Sequence, residues 1–283
     1  MMKTFKLNNN ENIPAVGFGV FMIPNNGPTY EATLAALKAG YRHIDTAAGY
    51  MNESDVGKAI KDSGIAREDI FITSKLWLQD YGYENAKKGI ENSLKALDTD
   101  YIDLYLLHQP YGDYLGSWKA LEEAVQKGKI KSIGISNITV RLWDKFKDGM
   151  TTMPVVNQVE FNPFTQQKEL RRVMDENNIR LEAWYPLGHG NKDLLENETI
   201  VTLANQYGKN AGQIILRWIY QEGVISLPKS TNLERMKGNI DIFDFELTNE
   251  EMEAIRALDT GQPTHNPEDP ANETRLMGLK IHD

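Results

Sequence analysis

Four residues that could together deliver a proton to a carbonyl oxygen lie at or just after three consecutive apolar runs. Asp45 ends the first of these runs, and Tyr50 follows it by five residues. Lys75 ends the next run and His108 ends the one after that. An ammonium group stabilises a nearby phenolate, so we expect Lys75 to lower the pKa of Tyr50 from about 10. His108 could hydrogen-bond a carbonyl oxygen and orient it against the phenol.

Each of these residues also has a purely structural explanation. Asp45 and Lys75 could form an ordinary buried ion pair, and a lone histidine is more often structural than catalytic. As a set, the four residues polarise a carbonyl but supply no electrons. The chain has no cysteine and no cluster of metal ligands that could supply them. We therefore expect no metal, and a cofactor that donates a hydride is the natural complement.

A fold that brings strand ends together is needed to assemble these residues. Eight short apolar segments, each followed by helical spacing, predict consecutive β/α units. The predicted strands span residues 15–20, 41–46, 70–75, 102–108, 132–137, 155–161, 180–187 and 224–229. Their nearly continuous apolar character is typical of parallel strands that are buried on both faces. The pattern predicts one α/β domain over residues 1–283, an eight-stranded parallel (β/α) TIM-type barrel with its site at the carboxyl ends of the strands.

Several smaller features accompany the barrel pattern. Residues 4–7 and 13–15 predict an N-terminal β-hairpin, and residues 198–208 and 211–222 predict two helices before the eighth strand. Asn52 with Asp55 three residues later resembles a capping box at a helix start. The segment beyond Asp259 contains several prolines and asparagines, which predicts a loop-rich tail.

Composition excludes several classes of protein. The 31 basic and 40 acidic residues give a net charge of −9, which does not favour nucleic-acid binding. Without cysteine the chain can form neither disulfides nor thiolate metal sites. It has no apolar stretch typical of a signal peptide or a membrane span. We expect a cytoplasmic monomer that does not contact a membrane and whose partner is a small molecule.

A second group of polar residues could bind a nucleotide cofactor. Ser136, Asn137 and Gln158 could hydrogen-bond a carboxamide, and the Tyr185 ring could stack on a nicotinamide. The segment 227–235 places two cations and several hydroxyl and amide groups near a helix start, which suits a phosphate. Alternatively, its cations are ordinary surface charges. The glycine fingerprint of a Rossmann domain is absent.

The chain resembles the aldo-keto reductase family over nearly its whole length. This resemblance rests on Gly40–Ala47 with Glu53 and Val56-Gly57, and on four further segments: Thr73–Trp77, Tyr101–His108, Gly134–Asn137 and Leu227–Ser230. Members of the family are NAD(P)H-dependent oxidoreductases built on an eight-stranded β/α barrel. The resemblance implies that Tyr50 is the general acid and base, that Asp45 and Lys75 tune it, and that His108 orients the carbonyl.

The resemblance also assigns the cofactor contacts. It implies nicotinamide contacts from Ser136, Asn137, Gln158, Tyr185 and Leu187. A preference for NADPH would depend on residues near the last strand, namely Lys229, Ser230, Asn232, Arg235 and Asn239. The family's usual Glu-Asn pair is Gly238-Asn239 here, which removes a carboxylate from the adenine site and leaves NADH possible.

The substrate pocket departs from the family pattern at two positions. Gln109 and Phe21 stand where many relatives have tryptophan. We expect Phe21, Trp77 and His108 to bind substrate. The short tail resembles that of bacterial members that reduce small dicarbonyls or keto-sugars, so the predicted activity is NADPH-dependent reduction of such aldehydes and ketones.

Two other functions remain open at this point. The chain could hold NADPH as a sensing module without useful turnover. It could also be a barrel aldolase that uses Lys75 or Lys229 as a Schiff-base amine.

Overall fold

The computed structural model describes residues 3–282. Its first two strands, β1 (Thr4–Lys6) and β2 (Asn12–Pro14), form the predicted antiparallel hairpin. Ile13 of this hairpin is fully buried and packs with Leu104, Leu106 and Val156. The hairpin therefore covers the amino-terminal end of the barrel interior, opposite the end where the site lies.

Eight parallel strands follow, and each pairs with its neighbours in chain order. They are β3 (Phe18–Gly19), β4 (His43–Asp45), β5 (Phe71–Leu76), β6 (Ile102–Leu107), β7 (Ile130–Ser136), β8 (Val156–Glu160), β9 (Arg180–Trp184) and β10 (Ile225–Ser226). A parallel bridge between Val16 and Ser226 brings the two edges together, and Gly17 donates its backbone N–H to the Ser226 carbonyl at 2.8 Å. The predicted barrel is confirmed.

Several strands are shorter than predicted, and left-handed residues or a proline follow three of the strands at their carboxyl ends. Asn137 and Tyr185 have φ values of 58° and 53°, in the left-handed region, and these conformations end β7 and β9. The last strand stops before Leu227-Pro228, where proline cannot donate to a strand ladder. These turns redirect the chain at the face where the predicted site residues lie.

Helices surround the sheet and bury their apolar faces against it. They are α1 (Pro28–Ala39), α2 (Glu53–Asp62), α3 (Tyr83–Ala96), α4 (Tyr114–Gln126), α5 (Val140–Phe146), α6 (Lys168–Glu176), α7 (Lys192–Leu195), α8 (Glu198–Tyr207), α9 (Ala211–Gln221), α10 (Leu233–Ile240), α11 (Asn249–Arg256) and α12 (Pro270–Met277). The two helices predicted before the last strand are α8 and α9. Within residues 3–282 none of the helices is long and apolar enough to cross a membrane.

One local prediction was wrong, and the loop-rich tail also contains one helix. The tail contains α12, which begins at Pro270 after Asp269 accepts a hydrogen bond from the Ala271 N–H at 2.9 Å. Asn52 precedes α2 as predicted, but its side chain makes no capping bond. Instead it accepts from Thr46 and donates to the carbonyls of Val20 and Ile23. Asn52 therefore ties the loop after β4 to the loop after β3.

Candidate active site

A buried ion pair lies at the carboxyl ends of β4 and β5. Lys75 is fully buried, and its Nζ donates to both carboxylate oxygens of Asp45, at 2.7 and 2.8 Å, and to the Thr46 carbonyl at 2.8 Å. Burial raises the pKa of Asp45, and the Lys75 charge opposes this effect. Burial alone would lower the pKa of Lys75, but the charges of Asp45 and Tyr50 raise it. The short contacts are those of a charged ammonium, so we describe the pair as ionised.

Tyr50 is the next partner of Lys75. It ends the short 3₁₀ turn Ala48–Tyr50 after β4, and its hydroxyl lies 3.3 Å from Lys75 Nζ. The residue is half-buried, and its hydroxyl lies beside the buried Lys75. Burial raises the pKa of Tyr50 to about 12, although the Lys75 charge opposes the rise. The prediction of a lowered pKa was therefore wrong, because the loss of hydration outweighs the nearby charge. At neutral pH the phenol keeps its proton.

His108 completes this group, which we call the polar cluster: Asp45, Tyr50, Lys75 and His108. The His108 ring packs edge-on against the Tyr50 ring, with centroids 5.5 Å apart. Burial, reinforced by the Lys75 charge, lowers the pKa of His108 well below its ordinary value. A neutral imidazole carries one N–H, so His108 can donate one hydrogen bond to a carbonyl oxygen. The structure thus brings all four predicted residues together.

Trp77 forms one wall beside the polar cluster. It is 6% exposed, and its ring centroid lies 5.2 Å from that of His108. The Trp77 indole N–H donates to the Leu279 carbonyl at 2.9 Å, which ties the tail to this wall. A Cβ placed on Gly49 would lie 2.8 Å from the Trp77 ring. Glycine in the turn before Tyr50 therefore makes room for this tryptophan.

Phe21 and the tail border the opening above the cluster. Phe21 is 43% exposed, and its ring centroid lies 4.9 Å from that of Tyr50. In the tail, Thr264 and His265 donate backbone N–H groups to Glu160 at the end of β8, at 2.8 and 3.2 Å. The predictions had not included Glu160 or the tail contacts.

The three predicted amide and hydroxyl residues, Ser136, Asn137 and Gln158, lie next to the polar cluster and form different hydrogen bonds. The Ser136 hydroxyl donates to the main-chain carbonyl of Gln158 at 2.9 Å. Asn137 donates to the His108 carbonyl at 3.3 Å and accepts from the Trp184 indole at 3.0 Å. Asn137 therefore also has a structural role, since it joins the end of β6 to the end of β9.

Gln158 connects the polar cluster to an acidic residue that the sequence reasoning missed. Its amide nitrogen donates to Asp45 and to Glu182, each at 2.8 Å. Glu182 lies in the middle of β9 and is fully buried. A carboxylate inside an apolar strand was the available signal, because such a group is buried only with a partner.

Tyr185 and Leu187 follow β9 in the turn where the nicotinamide was expected. Both side chains are half-buried. The Tyr185 ring packs edge-on against Trp184, with centroids 4.8 Å apart, and Leu187 packs against the main core. The backbone at Tyr185 is left-handed, and its ring also packs against the His189 ring, with centroids 4.7 Å apart.

Four of the residues expected to favour NADPH lie at the start of α10, namely Lys229, Ser230, Asn232 and Arg235, whereas Asn239 lies near the end of this helix. Asn232 accepts from the Arg235 N–H at 3.0 Å and so caps the helix, and Ser230 accepts from the Asn232 N–H at 3.0 Å. Lys229 and Arg235 are exposed, whereas Asn239 is buried. A capped helix start with two exposed cations is an electrostatically suitable anion site.

The fold and the site together define a class of protein. A closed β/α barrel brings together a neutral phenol, a buried charged lysine and a neutral imidazole at the carboxyl ends of its strands. This is the arrangement of a barrel oxidoreductase that acts on carbonyl groups.

The comparisons with known proteins agree with this class. The chain belongs to the aldo/keto reductase family, whose model matches residues 16–260. It is 48% identical over 256 residues to glyoxal reductase from Bacillus subtilis, an alignment that covers 90% of this chain and 92% of the relative.

Two solved structures agree with the fold in detail. An aldo/keto reductase from Brucella melitensis is 45% identical, with a TM-score of 0.88 over 92% of this chain and 100% of that one. An aldo-keto reductase from Bombyx mori, solved in complex with NADP, is 34% identical, with a TM-score of 0.88 over 97% of each chain. The alternative of a sensing module without turnover loses support, since the close relatives are oxidoreductases.

Proposed function

We propose that this protein reduces aldehydes and ketones to alcohols, with NADPH as the electron donor and Tyr50 as the acid. One observation carries the proposal: Lys75, held by Asp45, lies 3.3 Å from the Tyr50 hydroxyl. A lysine ammonium can only donate, so the phenol oxygen accepts at this contact. The hydrogen of the phenol is then available to a carbonyl oxygen in the opening.

The residues near Gln158 fit a nicotinamide. Both amide hydrogens of Gln158 are used inside the barrel, which leaves its oxygen as an acceptor for a carboxamide. Tyr185 offers a ring surface, and the Ser136 oxygen retains acceptor capacity. When bound, the cofactor supplies a hydride to the carbonyl carbon.

The chain supplies the rest of the chemistry. His108 donates its single N–H to the carbonyl oxygen and holds it near Tyr50. As the carbon gains a C–H bond, the Tyr50 proton passes to the oxygen, and the C=O bond becomes a C–OH bond. Lys75 stabilises the tyrosinate that remains until solvent returns a proton. Each group is in the protonation state required for reduction before the substrate enters.

The cations at the start of α10 favour NADPH over NADH. Lys229 and Arg235 are exposed and free to meet a phosphate, whereas Gly238 offers the adenine no carboxylate. The NADP in the Bombyx mori relative supports this choice. NADH remains a weaker alternative donor.

Small dicarbonyls and keto-sugars are the proposed substrates. The similarity to glyoxal reductase supports a small dicarbonyl. The pocket has the Trp77 ring on one side and the partly exposed Phe21 on another, with Gln109 buried nearby.

An aldolase mechanism through Lys75 has no support in this geometry. A Schiff-base amine must be neutral and reachable. Lys75 is fully buried, and its ion pair with Asp45 favours the charged form.

The decisive experiment compares Tyr50→Phe with the unmodified protein in a panel of small carbonyls, following NADPH absorbance. We expect kcat to fall by about 10²–10⁴-fold, on the scale of losing a positioned acid. Binding of NADPH, measured by fluorescence titration, should stay nearly unchanged. Tyr30→Phe is the control, because the Tyr30 hydroxyl donates to Asp62 at the surface, away from the polar cluster. Full activity of Tyr50→Phe would refute the assignment.

A further inference from the structure

A buried acidic residue that contacts Gln158, Glu182, takes no part in the proposed proton transfer. Glu182 is fully buried in the barrel interior, directly opposite Gln158 in the strand register. The titratable and charged groups that face it come from two other strands. His43 Nε2 lies 3.8 Å from Glu182 Oε1, and the charges of Asp45 and Lys75 both act on the carboxyl.

The contacts of Gln158 determine the orientation of its amide. Asp45 is ionised by its pairing with Lys75, so it can only accept hydrogen bonds. The Gln158 atom that faces Asp45 at 2.8 Å must therefore be the nitrogen. The second hydrogen of that nitrogen is directed to Glu182 Oε2, also at 2.8 Å.

Glu182 is suited to this contact because it is uncharged at neutral pH. Burial, and then the Asp45 charge, raise the pKa of Glu182 to about 8. Burial lowers the pKa of His43 to about 3, so His43 is neutral as well. A protonated carboxyl keeps a carbonyl oxygen that accepts from Gln158. It also adds no second negative charge beside the Asp45–Lys75 pair.

We propose that Glu182 is a positioning residue for the nicotinamide: together with Asp45 it holds both amide hydrogens of Gln158, so that the Gln158 oxygen is presented to the cofactor carboxamide. Without Glu182 one N–H of Gln158 has no acceptor at that position, and the amide can rotate. The inference rests on the proposed function, since it takes the cofactor to be a nicotinamide nucleotide.

Two substitutions separate the acceptor from the charge. Glu182→Leu keeps roughly the same volume but removes the acceptor, and we expect the Kd for NADPH to rise about tenfold, the scale of one hydrogen bond. Glu182→Gln keeps an acceptor oxygen, and its Kd should return to within about threefold of the unmodified value. Glu53→Gln is the matched control. Glu53 is also buried, but its carboxyl group accepts a hydrogen bond from the Ser74 hydroxyl at 2.5 Å.

A double-mutant cycle distinguishes positioning from general loss of structure. If Glu182 acts through Gln158, adding Glu182→Leu to Gln158→Leu should weaken NADPH binding no further. If the two effects multiply, or if folded Glu182→Leu binds NADPH as tightly as the unmodified protein, the proposal is wrong.

A measurement on the unmodified protein covers the case in which Glu182→Leu does not fold. The two side-chain amide protons of Gln158, observed by ¹⁵N NMR without cofactor, should be protected from solvent exchange. Exchange as fast as that of an exposed glutamine would overturn the proposal. This result does not depend on turnover, so it differs from a failure of the proposed function, which would appear as absent carbonyl-dependent oxidation of NADPH.

Discussion

Charged residues are buried and paired in the barrel interior, whereas those at the start of α10 are exposed. In the interior, Lys75 is fully buried and paired with Asp45 at 2.7 Å. At the start of α10, Lys229 and Arg235 are exposed to solvent. Buried charges shift the pKa values of their neighbours and are costly to disturb, whereas exposed charges are screened by water and salt. The interior can therefore control proton transfer, and the helix start is suited to recognising an anion.

Removing the buried cation is the strongest test of this difference between the two regions. Lys75→Met leaves Asp45 ionised in the interior without a partner, which should cost about 3–5 kcal/mol in the free energy of unfolding. It should also lower kcat by about 10²-fold or more, because Tyr50 loses the charge that stabilises its anion. Urea unfolding and steady-state kinetics measure the two effects.

Lys58→Met is the control for the buried cation. Lys58 also pairs with a carboxylate, Asp62, but it is 62% exposed. We expect no measurable change in unfolding or in kcat. A large effect at Lys58, or none at Lys75, would mean that burial does not determine how much each ion pair contributes to stability and to kcat.

The pH dependence of stability tests the buried acid. The folded-state pKa of Glu182 is about 8, above the ordinary 4.5, so the folded protein holds this proton more tightly than the unfolded chain. The stability from this carboxyl is fully present below pH about 4.5 and is lost as the pH rises through about 8. At about 1.4 kcal/mol for each pKa unit, the change across this range is several kcal/mol.

Glu182→Gln cannot ionise, so it isolates this effect. Its stability relative to the unmodified protein should increase as the pH rises from about 4.5 to about 8, which a series of urea titrations would detect. Parallel curves for the two proteins would show that Glu182 has an ordinary pKa in the fold.

A smaller effect is expected from filling the space at Gly49. In Gly49→Ala the new methyl group would lie 2.8 Å from the Trp77 ring. Overpacking of this kind costs about 1–3 kcal/mol, and a displaced Trp77 should raise the KM of the carbonyl substrate. Trp77→Phe in the same chain should relieve part of the cost, so the two changes should be less than additive in thermal unfolding.

The smallest effect should come from the exposed cations. Arg235→Ala should raise the KM for NADPH by up to about tenfold at low salt and leave the KM for NADH unchanged, with a difference that shrinks as salt is added. Lys237→Ala, on the same helix, is the control because its Nζ already pairs with Glu234 at 2.9 Å. An equal rise in the KM for both cofactors would show that Arg235 does not recognise the phosphate that distinguishes NADPH from NADH.

The sequence was a good guide to the fold and to the polar cluster. Apolar runs and helical spacing located all eight barrel strands, because parallel strands buried on both faces need nearly continuous apolar residues. Asp45, Lys75 and His108 could be placed together because the carboxyl ends of barrel strands converge. β9 ends three residues earlier than predicted because the left-handed backbone at Tyr185, just before Pro186, turns the chain out of the strand.

Other expectations stay predictions. These are the single domain over residues 1–283, the monomeric state, the cytoplasmic location and the individual cofactor contacts.

The sequence by itself determined the barrel, the order of its strands and the residue types at their carboxyl ends, because these depend on periodicity and on chain order. Only the tertiary structure decided the protonation states and the pairing inside the barrel. The pKa of Tyr50 rises where a neighbouring lysine alone would lower it, since burial outweighs the charge. Glu182 and Gln158 meet across strands 24 residues apart in the chain, a contact that depends on strand register and side-chain direction.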